Sequence, residues 1–283
     1  MPLKNLVWKG SGPVLDGKYF VIDAHCHIYP EKIASRAAKN TGDFYGEIPY
    51  ADGTVDAMLS EGLAAGIDHF VVQSVATTPH QVKSINEFIA VSVAQSDGRM
   101  TGLGTLHPDS EDQTADVQHL KELGLHGVKL HPDIQNFKVD DERCMRIYEI
   151  CQRENLPLLV HTGDHRYDNS NPDRVLDVLK AFSNLIMVGA HFGGWSVWEE
   201  ATQKLAHCPN LYVDCSSTMM YRDTETVEKM IKAYGADRVL FGTDYPLWSS
   251  AEELSSFGKL NLSEEEKRLI LSENARKIYG CNV

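Results

Sequence analysis

The chain has 283 residues, with 27 Lys and Arg against 40 Asp and Glu, a formal net charge of −13. That length suits one large domain of the (β/α)8 kind, which needs about 250 residues, and the acidic excess argues against binding nucleic-acid phosphates. A 42% hydrophobic and 24% charged composition excludes a disordered chain, and the lack of any stretch of about 18 apolar residues excludes a membrane span.

In chain order, residues 1–18 form a lead, MPLKNLVWKGSGPVLDGK. It lacks the apolar block of a secretory signal, so the expected location is cytoplasmic. Eight short runs rich in β-branched residues follow: YFVIDAH (19–25), HFVVQSV (69–75), MTGLGTL (100–106), HGVKLH (126–131), LPLLVH (156–161), LIMVGAH (185–191), LYVDCS (211–216) and RVLFGTD (238–244). Each lacks polar alternation and is bounded by turn residues, the pattern of parallel strands covered on both faces.

Helix-like segments separate them. Residues 54–65 carry Val55, Met58, Leu59 and Leu63, and residues 80–96 carry Val82, Ile85, Phe88, Ile89 and Val93. Residues 112–123 end before Gly124, a C-cap signal. Residues 141–154 place Cys144 and Cys151 seven apart on one face, as core filler. Further segments span 173–182, 196–206 and 224–234, and a final helix covers 263–279, where Ser263 and Glu266 have capping-box spacing. Strand alternating with helix predicts βαβ units and a parallel sheet. Eight units, with no GxGxxG after the first strand, predict a single-domain α/β (β/α)8 TIM barrel rather than a dinucleotide-binding fold. The longest irregular stretch is the loop 26–52, where barrel enzymes keep specificity elements. Six Cys without a CxxC pair are expected as reduced, mostly buried thiols.

The polar residues ending these runs are the functional signal. The first run ends Asp23-Ala24-His25-Cys26-His27, the fourth holds Lys129 and ends at His131, and the fifth, sixth and eighth end at His161, His191 and Asp244. In a barrel these ends meet at one mouth. The i, i+2 spacing of His25 and His27 on a strand turns both imidazoles to one side and Cys26 to the other. With His161 and Asp244 as further N and O donors, three His and one carboxylate match a divalent metal site with room for a water. For any one of these His, capping a strand end is the simpler account; their grouping at one mouth is what favours metal.

The ordered motifs VIDAHCH, GVKLHP, LPLLVHTG, GAHFGG, LYVDCSS, LFGTDYP and ENARKIYG resemble the amidohydrolase-related family. This is the branch of the amidohydrolase superfamily that includes aminocarboxymuconate semialdehyde decarboxylase-like enzymes. The resemblance implies that His25, His27 and His161 bind a metal. It places His191 near the metal to act on the reacting oxygen, and has Asp244 approach the metal and serve as base. Such a metal lowers the pKa of bound water to about 7, a carboxylate can take and return its proton, and a neutral His can donate to a developing oxyanion.

Lys129 has three readings: a carboxylated bridge between two metals, an ammonium that orients a substrate carboxylate, or a structural ion pair. The second is preferred. His131 precedes Pro132, which ends the strand, and is not counted as a ligand. Asp23 shares the parity of His25 and His27 and is assigned a supporting role, as is Asp214. His107 and His165 are marginal mouth residues. Gly163, Gly193 and Gly194 permit sharp turns at the mouth, and Tyr29, Trp195, Tyr245 and Trp248 are candidate walls for a planar substrate. The expected function is a metal-dependent hydrolase of an amide, ester or lactone of a small, anionic substrate. The alternative is a nonoxidative decarboxylase, and the third reading a noncatalytic binding barrel. One zinc is the expected cofactor, with manganese and iron as alternatives, and a homodimer is the base-rate expectation.

Overall fold

The computed structural model describes residues 13–281. The first twelve residues of the predicted lead therefore lie outside the described residues. The strands are β1 (Ile22–His27), β2 (His69–Gln73), β3 (Met100–Gly102), β4 (Gly104–Thr105), β5 (Val128–Leu130), β6 (Leu158–Val160), β7 (Met187–Gly189), β8 (Leu211–Asp214) and β9 (Val239–Leu240). Every neighbouring pair is parallel. β3 and β4 are the two halves of the third predicted run. Between them, Leu103 donates back to Val72 O at 2.9 Å, while Gly104 donates forward to Gly127 O at 2.9 Å. The far side is joined by Ala24 N–H to Phe241 O (2.9 Å), Asp244 N–H to His25 O (2.9 Å) and His27 N–H to Tyr245 O (2.7 Å). The strands thus run round to their start as the predicted TIM barrel. Among the described residues no helix is long and apolar enough to cross a membrane, and all six Cys are buried and unpaired.

Alternation along the strands separates two cores. Val71, Leu103, Leu159, Val188, Ala190, Tyr212 and Leu240 form the barrel interior. Their chain neighbours, such as Val72, Leu158, Val160, Met187 and Val213, pack in the layer shared with the helices, as does Val128. Ala275, Ile278, Tyr279 and Cys281 belong to the interior cluster, so the C-terminal helical segment closes one end of the barrel. That segment is not one regular helix. It runs Glu264–Arg268 as α-helix, Leu269–Glu273 as a π turn and Asn274–Tyr279 as α-helix. Its predicted capping box forms, with Glu266 N–H donating to Ser263 Oγ and Ser263 N–H to Glu266 Oε2. The π turn presents the Ile270 carbonyl to Phe241 N–H at 2.9 Å. Asn274 then donates from Nδ2 to Ala236 O and Val239 O, both at 2.7 Å. This is the physical content of the ENARKIYG motif: it ties the closing helix to the last strand.

The loop expected over 26–52 contains a 15-residue helix, α1 (Glu31–Tyr45). Its buried residues are Ala34, Ala38 and Gly42. Its buried stripe is made of Ala and Gly, without the large apolar side chains by which other helices are read from sequence. A left-handed Gly46 ends the helix. A second unpredicted helix, Ser250–Gly258, follows the mouth segment after β9.

Asn274 is buried and satisfies two carbonyls with one amide. Asn274→Ala leaves both acceptors unpaired and is expected to cost about 2–4 kcal/mol, read as a lower denaturation midpoint in urea. An unchanged midpoint would show that the tie is not needed.

Candidate active site

β1 does not keep a strict two-residue alternation. Its pairing with β2 slips between Asp23 and Cys26, with Ile22 and Ala24 in the interior cluster and Cys26 and Ile28 in the outer one. His25 and His27 thereby face the mouth, as predicted. Asp23 does not share their side, which corrects its assignment by parity. Its carboxylate accepts from Thr243 N–H (2.9 Å), Thr243 Oγ1–H (2.6 Å) and His25 N–H (3.2 Å). Those bonds pin β1 to the segment that carries Asp244.

His25, His27 and Asp244 converge. The two Nε2 atoms lie 3.2 Å apart, and Asp244 Oδ1 lies 3.4 Å from His25 Nε2 and 3.5 Å from His27 Nε2. The three form a group able to hold a metal ion. Asp214 fixes the tautomer of His25. Its Oδ2 lies 2.9 Å from His25 Nδ1, so Nδ1 carries the proton and the Nε2 lone pair points into the mouth. The other oxygen, Oδ1, accepts from His191 N–H (3.1 Å), Ser216 N–H (3.1 Å) and Ser216 Oγ–H (2.5 Å). Burial pushes the Asp214 carboxyl up, but His25 and His191 outweigh it and hold it well below the usual carboxylate range.

His191 follows the end of β7 in a left-handed conformation (φ 59°), and Asp244 adopts one as well (φ 63°). Each departs from the favoured backbone at a cost of about 1–3 kcal/mol. Hydrogen bonds from His191 N–H to Asp214, from Phe192 N–H to Asp214 O (2.7 Å) and from Asp244 N–H to His25 O hold them there. His191 Nδ1 lies 3.1 Å from the Ser216 carbonyl. A carbonyl only accepts, so Nδ1 carries the proton and Nε2 is left as an acceptor. This tautomer presents Nε2 to the mouth as a hydrogen-bond acceptor. Gly163 (φ 78°) passes so close to Gly194 that an added Cβ would stand 2.6 Å from its backbone. The turns behind His161 and His191 can nest only without side chains.

His161 is not drawn into the group of His25, His27 and Asp244. It lies with Asp133 and Asp164 in a neighbouring group, linked through His191 Nε2 to His161 Nδ1 at 3.2 Å. Tyr45, reaching in from α1, sits 3.4 Å from both ring nitrogens of His161 and 2.7 Å from His131 Nε2. His131 stacks on His161 with centroids 4.1 Å apart, and it caps the short helix Pro132–Gln135 through Ile134 N–H. It is a neighbour of the site, as its position before Pro132 implied. Lys129 is buried, with Nζ 3.0 Å from His25 Nε2.

Burial sets the charge state of the group. It pushes His27 and His161 well below the ordinary histidine range, with Lys129 adding to the effect at His27 and His131 at His161. It takes His191 down to about 4 against the pull of Asp244 and Asp214, and Lys129 down to about 8. Asp244 is raised by burial but lowered more by His25, His191 and the Ser217 hydroxyl, which donates to Oδ2 at 2.6 Å. Neutral imidazoles beside an ionised carboxylate are the donor set a divalent cation takes.

The mouth opens into a cavity of about 610 Å³. His25, His27, Lys129, His161, His191 and Asp244 all line it. Of the predicted aromatic walls only Tyr29 does so. Trp195 and Trp248 line a small recess beside Asp244, and Tyr245 is buried with its hydroxyl on Thr54 O. Phe44, Tyr45 and Phe88 supply the cavity's other aromatic surface, and sequence reasoning missed all three. Arg166 lies over the Phe44, Tyr45 and Trp195 rings, pairs with Asp164 at 2.6 Å and donates to Phe44 O at 2.6 Å. It fastens the end of α1 over the site. His107 and His165 lie outside the cavity lining. Asp214→Asn keeps the shape but exchanges an anion for an amide at His25, and metal affinity is expected to fall about 10–100-fold, measured by competition with a chromogenic chelator. Unchanged affinity would remove Asp214 from its role.

A family model described as amidohydrolase matches residues 22–281. The 2-amino-3-carboxymuconate-6-semialdehyde decarboxylase of Dictyostelium discoideum is 20% identical, with 94% of this chain and 86% of that protein covered. The structure of 5-carboxyvanillate decarboxylase from Sphingomonas paucimobilis superposes with a TM-score of 0.73 at 14% identity, covering 93% of this chain and 99% of that one. The 5-carboxyvanillate decarboxylase of Novosphingobium aromaticivorans, complexed with manganese and 4-hydroxy-3-methoxy-5-nitrobenzoic acid, gives 0.70 at 14% identity, covering 95% and 98%. The family match begins at the strand bearing His25 and His27 and ends past the helix that closes the barrel: the chain belongs to the amidohydrolase family.

Proposed function

We propose that this enzyme is a metal-dependent nonoxidative decarboxylase acting on a small, planar carboxylic acid. The observation that carries the reading is the recurrence of decarboxylases among proteins similar over nearly the whole chain, joined to a site with the donors and walls such a reaction needs. The hydrolase expected first from sequence becomes the second reading, since those similarities favour loss of carbon dioxide over addition of water.

His25, His27 and Asp244 are the residues that would hold the cation, with His161 adjoining. Imidazole and carboxylate donors suit zinc and manganese alike. Bound there, a divalent ion supplies Lewis acidity toward the oxygens of a carboxylate and its neighbouring hydroxyl. The remaining work falls to the chain. Lys129, cationic at neutral pH and buried below His25, attracts the substrate's negative charge to the floor of the cavity. His191 lines the cavity where the substrate hydroxyl would lie. Asp244 is ionised in the free site. It takes the proton of that hydroxyl and returns it to the ring carbon. The bond from that carbon to the carboxylate breaks, its electron pair stays on the carbon to meet the proton, and carbon dioxide departs. Ser217, held by Trp248 Nε1–H at 2.7 Å, keeps Asp244 aimed through its 2.6 Å hydrogen bond.

The purified protein is expected to contain about one divalent ion per chain and to lose activity on chelation. Hydroxyl-substituted aromatic acids should release carbon dioxide. Lactones and amides turned over with oxygen-18 uptake from water would instead establish the hydrolase. Asp244→Asn should lower turnover by about 10²–10⁴-fold, measured on metal-loaded protein; near-normal turnover would remove Asp244 as the proton carrier.

A further inference from the structure

The cavity is larger than the chemistry at its base requires. A closed apolar site of about 150 Å³ accommodates benzene, and this cavity measures about 610 Å³. The surplus lies to one side. From the metal-binding group the lining continues outward between α1 and the helix Val82–Ala94, through Ile33 and Ala37 on α1 and Ile85 and Phe88 on the other helix. Ile33 and Ala37 are four apart, as are Ala34 and Ala38, so α1 buries one stripe and turns an adjacent apolar one to the cavity. Ile85 and Phe88 are likewise three apart on one face.

Arg36 lies among these residues and lines the same cavity. Among the described residues it has no hydrogen bond, ion pair or ring contact. Arg36 is exposed on α1, and it and Lys129 are the lysine and arginine side chains of the lining. One lies at the floor beside His25 and the other on α1.

We propose that the site takes a two-part acid: a carboxylate-bearing head at the metal-binding group and an apolar arm between α1 and Val82–Ala94, ending in a negative charge that pairs with Arg36. The proposal rests on the decarboxylase reading for the head alone. Single-ring acids fill only the floor. An arm buries its apolar length against Ile33, Ala37, Ile85 and Phe88, and the distal anion gives Arg36 the partner it lacks.

Titration calorimetry on manganese-loaded protein tests it with 2-hydroxybenzoate, the same acid carrying a five-carbon chain at the 5 position, and that chain ending in a carboxylate. The chain is expected to tighten binding at least about tenfold, and its terminal carboxylate about tenfold more. Arg36→Gln should erase the second gain alone, and Phe88→Ala should reduce the first. Arg36→Gln should leave binding of 2-hydroxybenzoate unchanged. Equal affinities for the three acids, no binding of the armed acids, or a carboxylate gain that survives Arg36→Gln would overturn the proposal. Carbon dioxide release read in parallel separates it from the function. Tight binding of armed acids with no release leaves the subsite standing without the decarboxylase, and release from 2-hydroxybenzoate with no gain from the arm does the reverse.

Discussion

The Asp214 carboxylate is the point on which the mouth of this barrel depends. It is wholly buried, an arrangement that costs several kcal/mol unless the charge is fully met. It is met on both oxygens. One takes the ring proton of His25; the other takes the backbone proton of His191 and two protons of Ser216. A single group thereby sets the tautomer of one histidine and the backbone position of another, from strands that are far apart in the chain. The strained backbone at His191 persists because this carboxylate and the Asp214 carbonyl grip the turn on either side.

The electrostatics follow from burial more than from net charge. Burial of His27, His161 and His191 disfavours their protonated forms and keeps their lone pairs available. The carboxylates resist the same burial because imidazoles and hydroxyls face them. In an acidic protein the inner site would repel an anionic substrate without compensation. Lys129 at its base and a cation on His25, His27 and Asp244 would reverse that local field.

Much of this was legible in the residues. Strand and helix alternation gives the barrel. The placement of His25, His27, Lys129, His161, His191 and Asp244 at strand ends gives the membership of one cavity, and the position of Asp214 gives its supporting part. What the pattern missed has identifiable causes. α1 packs through Ala34, Ala38 and Gly42, without the large apolar side chains that mark helices such as Val82–Ala94. The slip in β1 undoes the parity argument for Asp23, because a bulge is invisible where all residues are buried. The offset of His161 from the other donors depends on Tyr45 and Asp133, whose approach is set by a helix and a turn that sequence spacing does not fix.

The division of labour on α1 has a consequence for how such a barrel can change. The residues that seat the helix, Ala34, Ala38 and Gly42, are different from those that look into the cavity, Ile33, Arg36 and Ala37. The helix touches His131 and His161 through Tyr45, at its C-terminal end. Substitutions at Ile33, Arg36 and Ala37 can therefore alter which molecules are accepted while leaving Tyr45 and the packing stripe in place. What enters the cavity can thus change by small steps along one helix, with the strand-borne donors beneath it kept in place.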